Sequence, residues 1–455
     1  MDRRQFLTSA VAAALPAAPP GGKMIGIQVG AVSFVDEGIE PVLDLFQKNH
    51  INTLFLAVFT YGRGIAGRQV PSQPLPDHGK QEYDEKTFHG GNYATPHSQY
   101  YKDTVIPPLH APDLGDFDVL AAVLPAAKKR GIKTICWLED VWRSDVPNIA
   151  KVQEHDLYGR NVATLCFNNP DYRNFLLGLV EDYARSYEVD GIMWGSERQG
   201  ALGNALGASH GGGGRDPGRV TCFCEFCERK AAQRGINFTR VKEGYRELEK
   251  FVRAGRGGNR PVDGYHVTFW RILLRYPEIL AWEQFWHDSL RETYAAIYNR
   301  VKSVKPVPVG WHIWHNNSFS PLYRAEQDLT ELSKYSDFLK MVMYHNCGGE
   351  RMASYISSVG RTVYGDAPPQ ELLEFHYRVM NCQERSFEQI PRTGWSADYV
   401  YRETKRAVDA VTGTKTQIWP GIDIDIPTAD NHSKSTPEGT KAAVLAAFRA
   451  GAHGV

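Results

Sequence analysis

The chain has 455 residues, long enough for one large domain or two ordinary ones. Its 52 basic and 52 acidic residues cancel to a formal net charge of zero, which removes the usual grounds for a nucleic-acid or polybasic membrane partner. Hydrophobic residues make up 42% and charged residues 23%, a globular balance, and the ten Trp and twenty-two Tyr suit either a large core or surfaces that stack on sugars.

Residues 1–20 read as an export signal rather than as fold. Asp2-Arg3-Arg4-Gln5-Phe6-Leu7 precedes a short apolar segment, Thr8 to Leu15, and then Pro16-Ala-Ala-Pro-Pro. The Arg-Arg-x-Phe-Leu core resembles a twin-arginine signal, which implies folding before export and a periplasmic or secreted protein. No later segment is apolar enough to span a bilayer, so no membrane partner is expected once the signal is cleaved.

Residues 24–455 alternate strand and helix. Met24-Ile-Gly-Ile-Gln-Val-Gly reads as a first strand, with a helix over 39–49, and Thr53-Leu-Phe-Leu-Ala-Val-Phe as a second. A long irregular stretch, Tyr61 to Asp116, follows. It carries His89-Gly-Gly-Asn-Tyr93 and His97-Ser-Gln-Tyr-Tyr101, and is either a pocket-shaping loop or a surface excursion. A helix over 117–130 leads into a third strand ending in Glu139-Asp140. Asn169-Pro170 caps a helix whose apolar positions Tyr172, Phe175, Leu176, Leu179, Val180 and Tyr183 keep a helical period.

That helix delivers the chain to Gly191-Ile-Met-Trp-Gly-Ser-Glu197-Arg198, a fourth strand halted at a carboxylate. A second long loop follows, with a Gly211–Gly214 run that reads as a flexible linker, and residues 240–303 are predicted largely helical. Strands at 307–314, 338–345 and 417–425 come next, then a helix from Pro437 to Gly451 and a short eighth strand at His453-Gly-Val455. This order predicts a (β/α)8 TIM barrel with long loops after strands two and four and a truncated last strand.

Active sites of such barrels lie at the C-terminal ends of the strands. Glu197 closes the fourth strand. In the seventh, Trp419, Gly421, Asp423 and Asp425 share one face, so both aspartates are expected to point inward. Glu139, Asp140, Arg198, Trp311, His312, Tyr344 and His345 gather at the same rim as candidate substrate-binding residues. A rim of carboxylates, His, Arg and aromatic rings suits cleavage of glycosidic bonds in oligo- or polysaccharides. One carboxyl group would protonate the leaving oxygen and the other attack carbon or activate water. Glu197, Asp423 and Asp425 are the catalytic candidates, with Glu197 as an acid of raised pKa. The alternatives are a metal-dependent hydrolase or lyase on the same barrel, or a carbohydrate-binding protein without activity; a homo-oligomer is compatible with either.

Of the seven cysteines, Cys222, Cys224 and Cys227 form a Cys-x-Cys-x-x-Cys cluster, too tight for ordinary disulfides and right for thiolates on one metal. A tetrahedral structural zinc needs a fourth ligand, for which Cys166 is the candidate, while Cys136 reads as core.

The run Cys166-Phe-Asn-Asn-Pro-Asp-Tyr-Arg, a helix and strand ending in Glu197, then Cys222-Phe-Cys224-Glu-Phe-Cys227, resembles the family 42 β-galactosidases, clan A glycoside hydrolases with (β/α)8 barrels. The resemblance covers about seventy residues closely. It implies Cys166, Cys222, Cys224 and Cys227 as zinc ligands and Glu197 as acid/base. Two positions depart from the family pattern. Ser196 stands where the family has Asn, and strand seven offers Asp423 and Asp425 where the family has a Glu nucleophile, which points to a distinct family of glycosidase-like proteins.

Overall fold

The computed structural model describes residues 22–61, 90–424 and 435–455. The export signal, Asp425 and much of the first long loop lie outside the described residues. In chain order the strands are β1 (Gly26–Val29), β2 (Thr53–Tyr61), β3 (Gly91–Asn92), β4 (Lys133–Trp142), β5 (Gln153–His155), β6 (Asn161–Leu165), β7 (Gly191–Gly195), β8 (Val309–Ile313), β9 (Phe338–Val342) and β10 (Gln417–Gly421). Seven of them pair in parallel in the order β1-β2-β4-β7-β8-β9-β10, with β3 antiparallel on β2 and β5–β6 forming a separate hairpin.

Residues 453–455 supply the last stave. His453 N–H donates to Ile418 O of β10 (3.1 Å), Gly26 N–H of β1 donates to Val455 O (2.8 Å), and Gly454 bridges Met24 in parallel. Eight staves with intervening helices make the expected (β/α)8 barrel.

The helices follow from their caps and apolar faces. The Asn169 side chain accepts from the Asp171 N–H (2.9 Å), Pro170 fills the first position, and the helix Pro170–Ser186 buries the six periodic residues named above. Residues 240–303 resolve into three helices, Phe238–Arg256, Tyr265–Arg275 and Glu278–Val304. The last buries Trp282, Phe285, Trp286, Leu290, Tyr294 and Ile297 against the barrel, each worth about 1.5–3 kcal/mol of burial. None of the described helices is long and apolar enough to cross a membrane.

Inside the barrel, rings close the floor. Phe338 stacks on Trp419 (centroids 4.0 Å, planes 18° apart) and Phe55 meets Trp419 edge-on at 5.9 Å. A Cβ on Gly310 would lie 2.3 Å from the Phe338 ring, so β8 must carry glycine there for β9 to fill the centre.

The glycine run does not behave as a linker. Residues 212–214 form a single 3₁₀ turn docked on the helix His345–Val359, where Gly211 N–H donates to Ser354 Oγ (3.1 Å). Gly212 approaches the Gly207 carbonyl so closely that a Cβ would sit 2.4 Å from its oxygen. Glycine here serves close backbone approach rather than freedom.

Candidate active site

Strand register assembles the rim. Glu139 of β4 is paired with Gly195 of β7, Gly195 with His312 of β8, His312 with Lys340 of β9, and Lys340 with Trp419 of β10. Aligned positions of neighbouring parallel strands share a face, so these side chains form one inward level. Glu197 lies two residues beyond Gly195, past the end of β7, and its contact with His312 brings it to the same side. The missing Cβ at Gly195 matters, because it would stand 2.9 Å from His312 Cβ. The imidazole therefore leans across β7 and places Nε2 at 2.9 Å from Glu197 Oε1.

Partners fix the direction of each proton. A carboxylate only accepts, so His312 Nε2–H donates to Glu197, leaving Nδ1 to accept from Lys340 Nζ at 3.4 Å. Lys340 Nζ also donates to Tyr344 Oη (2.8 Å), which reaches Gln28 Oε1 of β1 at 3.4 Å. A second relay flanks the first. Arg351 Nη1 donates to His315 Nδ1 (3.1 Å), so His315 carries its proton on Nε2, 3.1 Å from Tyr399 Oη.

The electrostatics separate the two glutamates. Burial raises the pKa of Glu139 to about 8, and the Glu197 charge adds to the shift, so Glu139 is a protonated acid at neutral pH. Burial also pushes on Glu197, but the hydrogen bond from His312 and the nearby positive charge of Arg351 overcome it and bring its pKa down to about 2. The expected acid of raised pKa at Glu197 is thereby corrected: it is the anion. About half of its side-chain surface, 48%, remains open to solvent. Burial lowers Lys340 to about 7, against the pull of Glu197 and with help from Arg351, and burial and Lys340 also lower His312.

The other candidates fall outside this level. Asp140 accepts from Ser196 Oγ (2.8 Å), Trp142 Nε1 (3.0 Å) and Tyr172 Oη, and pairs with Arg198 Nη2 at 2.7 Å. Arg198 in turn donates to Leu165 O at the end of β6 (3.0 Å) and covers the Phe167 ring at 4.0 Å. Both residues thus bind the β5–β6 hairpin to the rim from behind. Trp311 is fully buried on the opposite face of β8 from His312, tilted against Tyr294 at 4.6 Å, so it does not line the rim. The alternation that puts His312 inside puts Trp311 outside.

Asp423 is 1% exposed, and β10 has ended two residues before it. Its oxygens accept from the N–H groups of Asn346 (3.1 Å) and Cys347 (2.8 Å) and pair with His345 Nδ1 (2.9 Å), which caps the helix His345–Val359. In the first long loop, His97 Nδ1 and Tyr101 Oη both meet Asp182 of the helix Pro170–Ser186, at 2.7 and 3.1 Å. Tyr93 is fully buried, and burial raises its phenol well above the usual range.

Sequence reasoning missed Lys340, Gln28 and Arg351. Lys340 had a signal, a lone charge inside the buried run Phe338-Leu-Lys-Met-Val. Gln28 and Arg351 had none.

Behind the rim, Cys166, Cys222, Cys224 and Cys227 are buried and their sulfurs lie within 4.8 Å of one another. Cys166 Sγ is 3.5 Å from both Cys227 and Cys224, close to the roughly 3.8 Å between sulfurs on a tetrahedral zinc. Asn168 Nδ2 donates to Cys227 Sγ at 3.3 Å, a contact that suits a thiolate. The donor set fits a closed tetrahedral metal centre.

The chain matches no protein-family model and no curated protein. Among solved structures it is similar to the PgaB (BpsB) glycoside hydrolase domain from Bordetella bronchiseptica, with 12% identity over 89% of this chain and 94% of that one, TM-score 0.42. It is also similar to the catalytic domain of a β-amylase from Paenibacillus polymyxa, with 12% identity over 94% and 98%, TM-score 0.42. A third is a β-galactosidase from the haloarchaeon Halorubrum lacusprofundi, with 12% identity over 93% of this chain but only 57% of that one, TM-score 0.43. At these scores the likeness says nothing of the residues at the rim.

Proposed function

We propose that this chain is a glycoside hydrolase in which Glu139 is the proton donor and Glu197 the carboxylate that attacks the anomeric carbon or activates water. One observation carries the reading: two glutamates at the C-terminal rim of the barrel, Glu197 two residues beyond the level of Glu139, have pKa values driven apart, to about 8 and about 2. That separation is the division of labour glycosidic cleavage requires, with one carboxyl group holding its proton at neutral pH and the other free of it. His312 fixes the Glu197 carboxylate, and Lys340, Tyr344 and Gln28 supply donors and acceptors for sugar hydroxyls. Cys166, Cys222, Cys224 and Cys227 would hold zinc, which supplies structure to the loop behind Arg198 and no chemistry at the rim. The substrate is a carbohydrate, met outside the cytoplasm if residues 1–20 act as the twin-arginine signal they resemble.

Sugar release from a panel of oligosaccharides, compared among wild type, Glu139→Gln and Glu197→Gln, tests the assignment. Loss of at least about a hundredfold in both variants supports it. Undiminished cleavage by either variant removes that glutamate from the mechanism.

Lys340 favours a second reading. A buried amine of pKa about 7, 2.8 Å from Tyr344 Oη, is a nucleophile for carbonyl substrates. Irreversible borohydride trapping of a keto or aldehyde sugar on Lys340, in a protein that releases no sugar, would select this lyase chemistry instead.

A further inference from the structure

A second cluster of metal-ligating side chains lies apart from both the rim and the cysteines. Glu283 and His287 project from successive turns of the helix Glu278–Val304, and Glu326 ends the short helix Pro321–Glu326. Their ligand atoms all lie within 4.8 Å of one another. Glu283 and His287 side chains are each 5% exposed and Glu326 is 15% exposed.

Two features set this cluster apart from a network of hydrogen bonds. His287 Nε2 is 2.9 Å from Glu326 Oε2 and 3.8 Å from Glu283 Oε1, yet Nε2 makes no hydrogen bond, and Glu283 Oε1 is likewise without one. The contact is misaligned for a donor–acceptor line, while all three ligand atoms lie within reach of one ion. Ligands about 2.1 Å from one ion stand about 3.0 Å apart at a right angle and about 3.6 Å apart at 120°, close to both spacings. Charge makes the second argument. Among the described residues the one ion-pair partner of Glu283 and Glu326 is His287, so two buried carboxylates share at most one positive charge and need a further proton or cation.

We infer that Glu283, His287 and Glu326 bind a first-row divalent cation. One imidazole and two carboxylates suit zinc or manganese, and the two negative charges match the ion's two positive ones. The other oxygen of Glu283 accepts from Leu202 N–H (2.8 Å), and Gly200 packs so closely that a Cβ would lie 2.2 Å from Glu283 Oε1. The ion would brace the segment that follows Glu197 from behind, joining the loop after β7 to the one after β8.

The test is zinc-edge X-ray absorption on the full chain, loaded with zinc alone and desalted. The expected spectrum contains nitrogen and oxygen scatterers with the outer-shell signature of imidazole, in addition to any sulfur from the cysteines. That component should disappear in Glu326→Gln and in His287→Gln, with about one ion fewer per chain by elemental analysis. A pure sulfur shell in wild type, no bound zinc, or a nitrogen–oxygen shell that survives in both variants would overturn the inference. The wild-type spectrum decides even where a variant fails to fold.

Discussion

His312 Nε2 stands 2.9 Å from Glu197 Oε1, reaching it across a strand position that has no side chain. The N–H keeps the carboxylate ionised, so replacing it should let the Glu197 pKa climb toward the ordinary value of 4.5. In His312→Gln the acid limb of the pH–rate profile should move to higher pH, with activity at its optimum reduced at least about tenfold. A profile unchanged on the acid side would mean that Glu197 is not the ionised partner.

Gly195 is the companion test. Gly195→Ala places a methyl 2.9 Å from His312 Cβ and must displace the ring or the strand. The expected cost is about 1–3 kcal/mol of stability, with a fall in kcat larger than the change in KM. Denaturant unfolding and steady-state kinetics on the same preparation separate the two effects.

Glu139 carries a prediction about stability as well as rate. Its folded pKa of about 8 lies above the ordinary 4.5, so between those values the folded state holds a proton that the unfolded state has released. Stability must therefore fall as pH rises through that window. Glu139→Gln should lose the alkaline limb of the rate profile together with at least about a hundredfold in activity, yet melt higher than wild type at pH 8. The difference in melting temperature should shrink as pH approaches 4.5. Equal melting curves across the range would show that the group is not held protonated.

Asp423 separates capping from catalysis. Asp423→Asn keeps an oxygen for the helix N-terminus but loses the charge opposite His345, so thermal stability should drop by about 1–3 kcal/mol while cleavage stays within about tenfold of wild type. A hundredfold loss of rate with full stability would return Asp423 to the chemistry.

The zinc proposed at Cys166, Cys222, Cys224 and Cys227 predicts that chelation lowers the melting temperature by roughly 5 °C or more and makes the β5–β6 hairpin susceptible to proteolysis. Zinc added back after gentle chelation should restore both.

How far the sequence spoke differs between strand and rim. The apolar runs, the Asn169-Pro170 and Thr436-Pro437 caps and the strand–helix alternation carry the barrel's order, because period and capping are local properties. The convergence of Cys222, Cys224 and Cys227 was legible from their spacing, and Cys166 from the need for a fourth ligand and from the family resemblance. Register was not: that Glu139 stands level with Gly195, His312 and Lys340 depends on how neighbouring strands slide, and no local pattern encodes it. The same limit explains Asp423. Alternation assigns it a face only while the strand lasts, and β10 stops at Gly421. Arg351 reaches the rim from the helix after β9, beyond the reach of any periodicity within one element.

Arg198 holds Asp140 at the end of β4, Leu165 at the end of β6 and, through Nε at 3.2 Å, the Ser196 hydroxyl next to Glu197. Any change in how the hairpin 153–165 sits is therefore transmitted to the neighbour of Glu197. For anyone seeking to tune this protein, the hairpin is a remote control: residues well away from Glu197 set the pose of its neighbour Ser196.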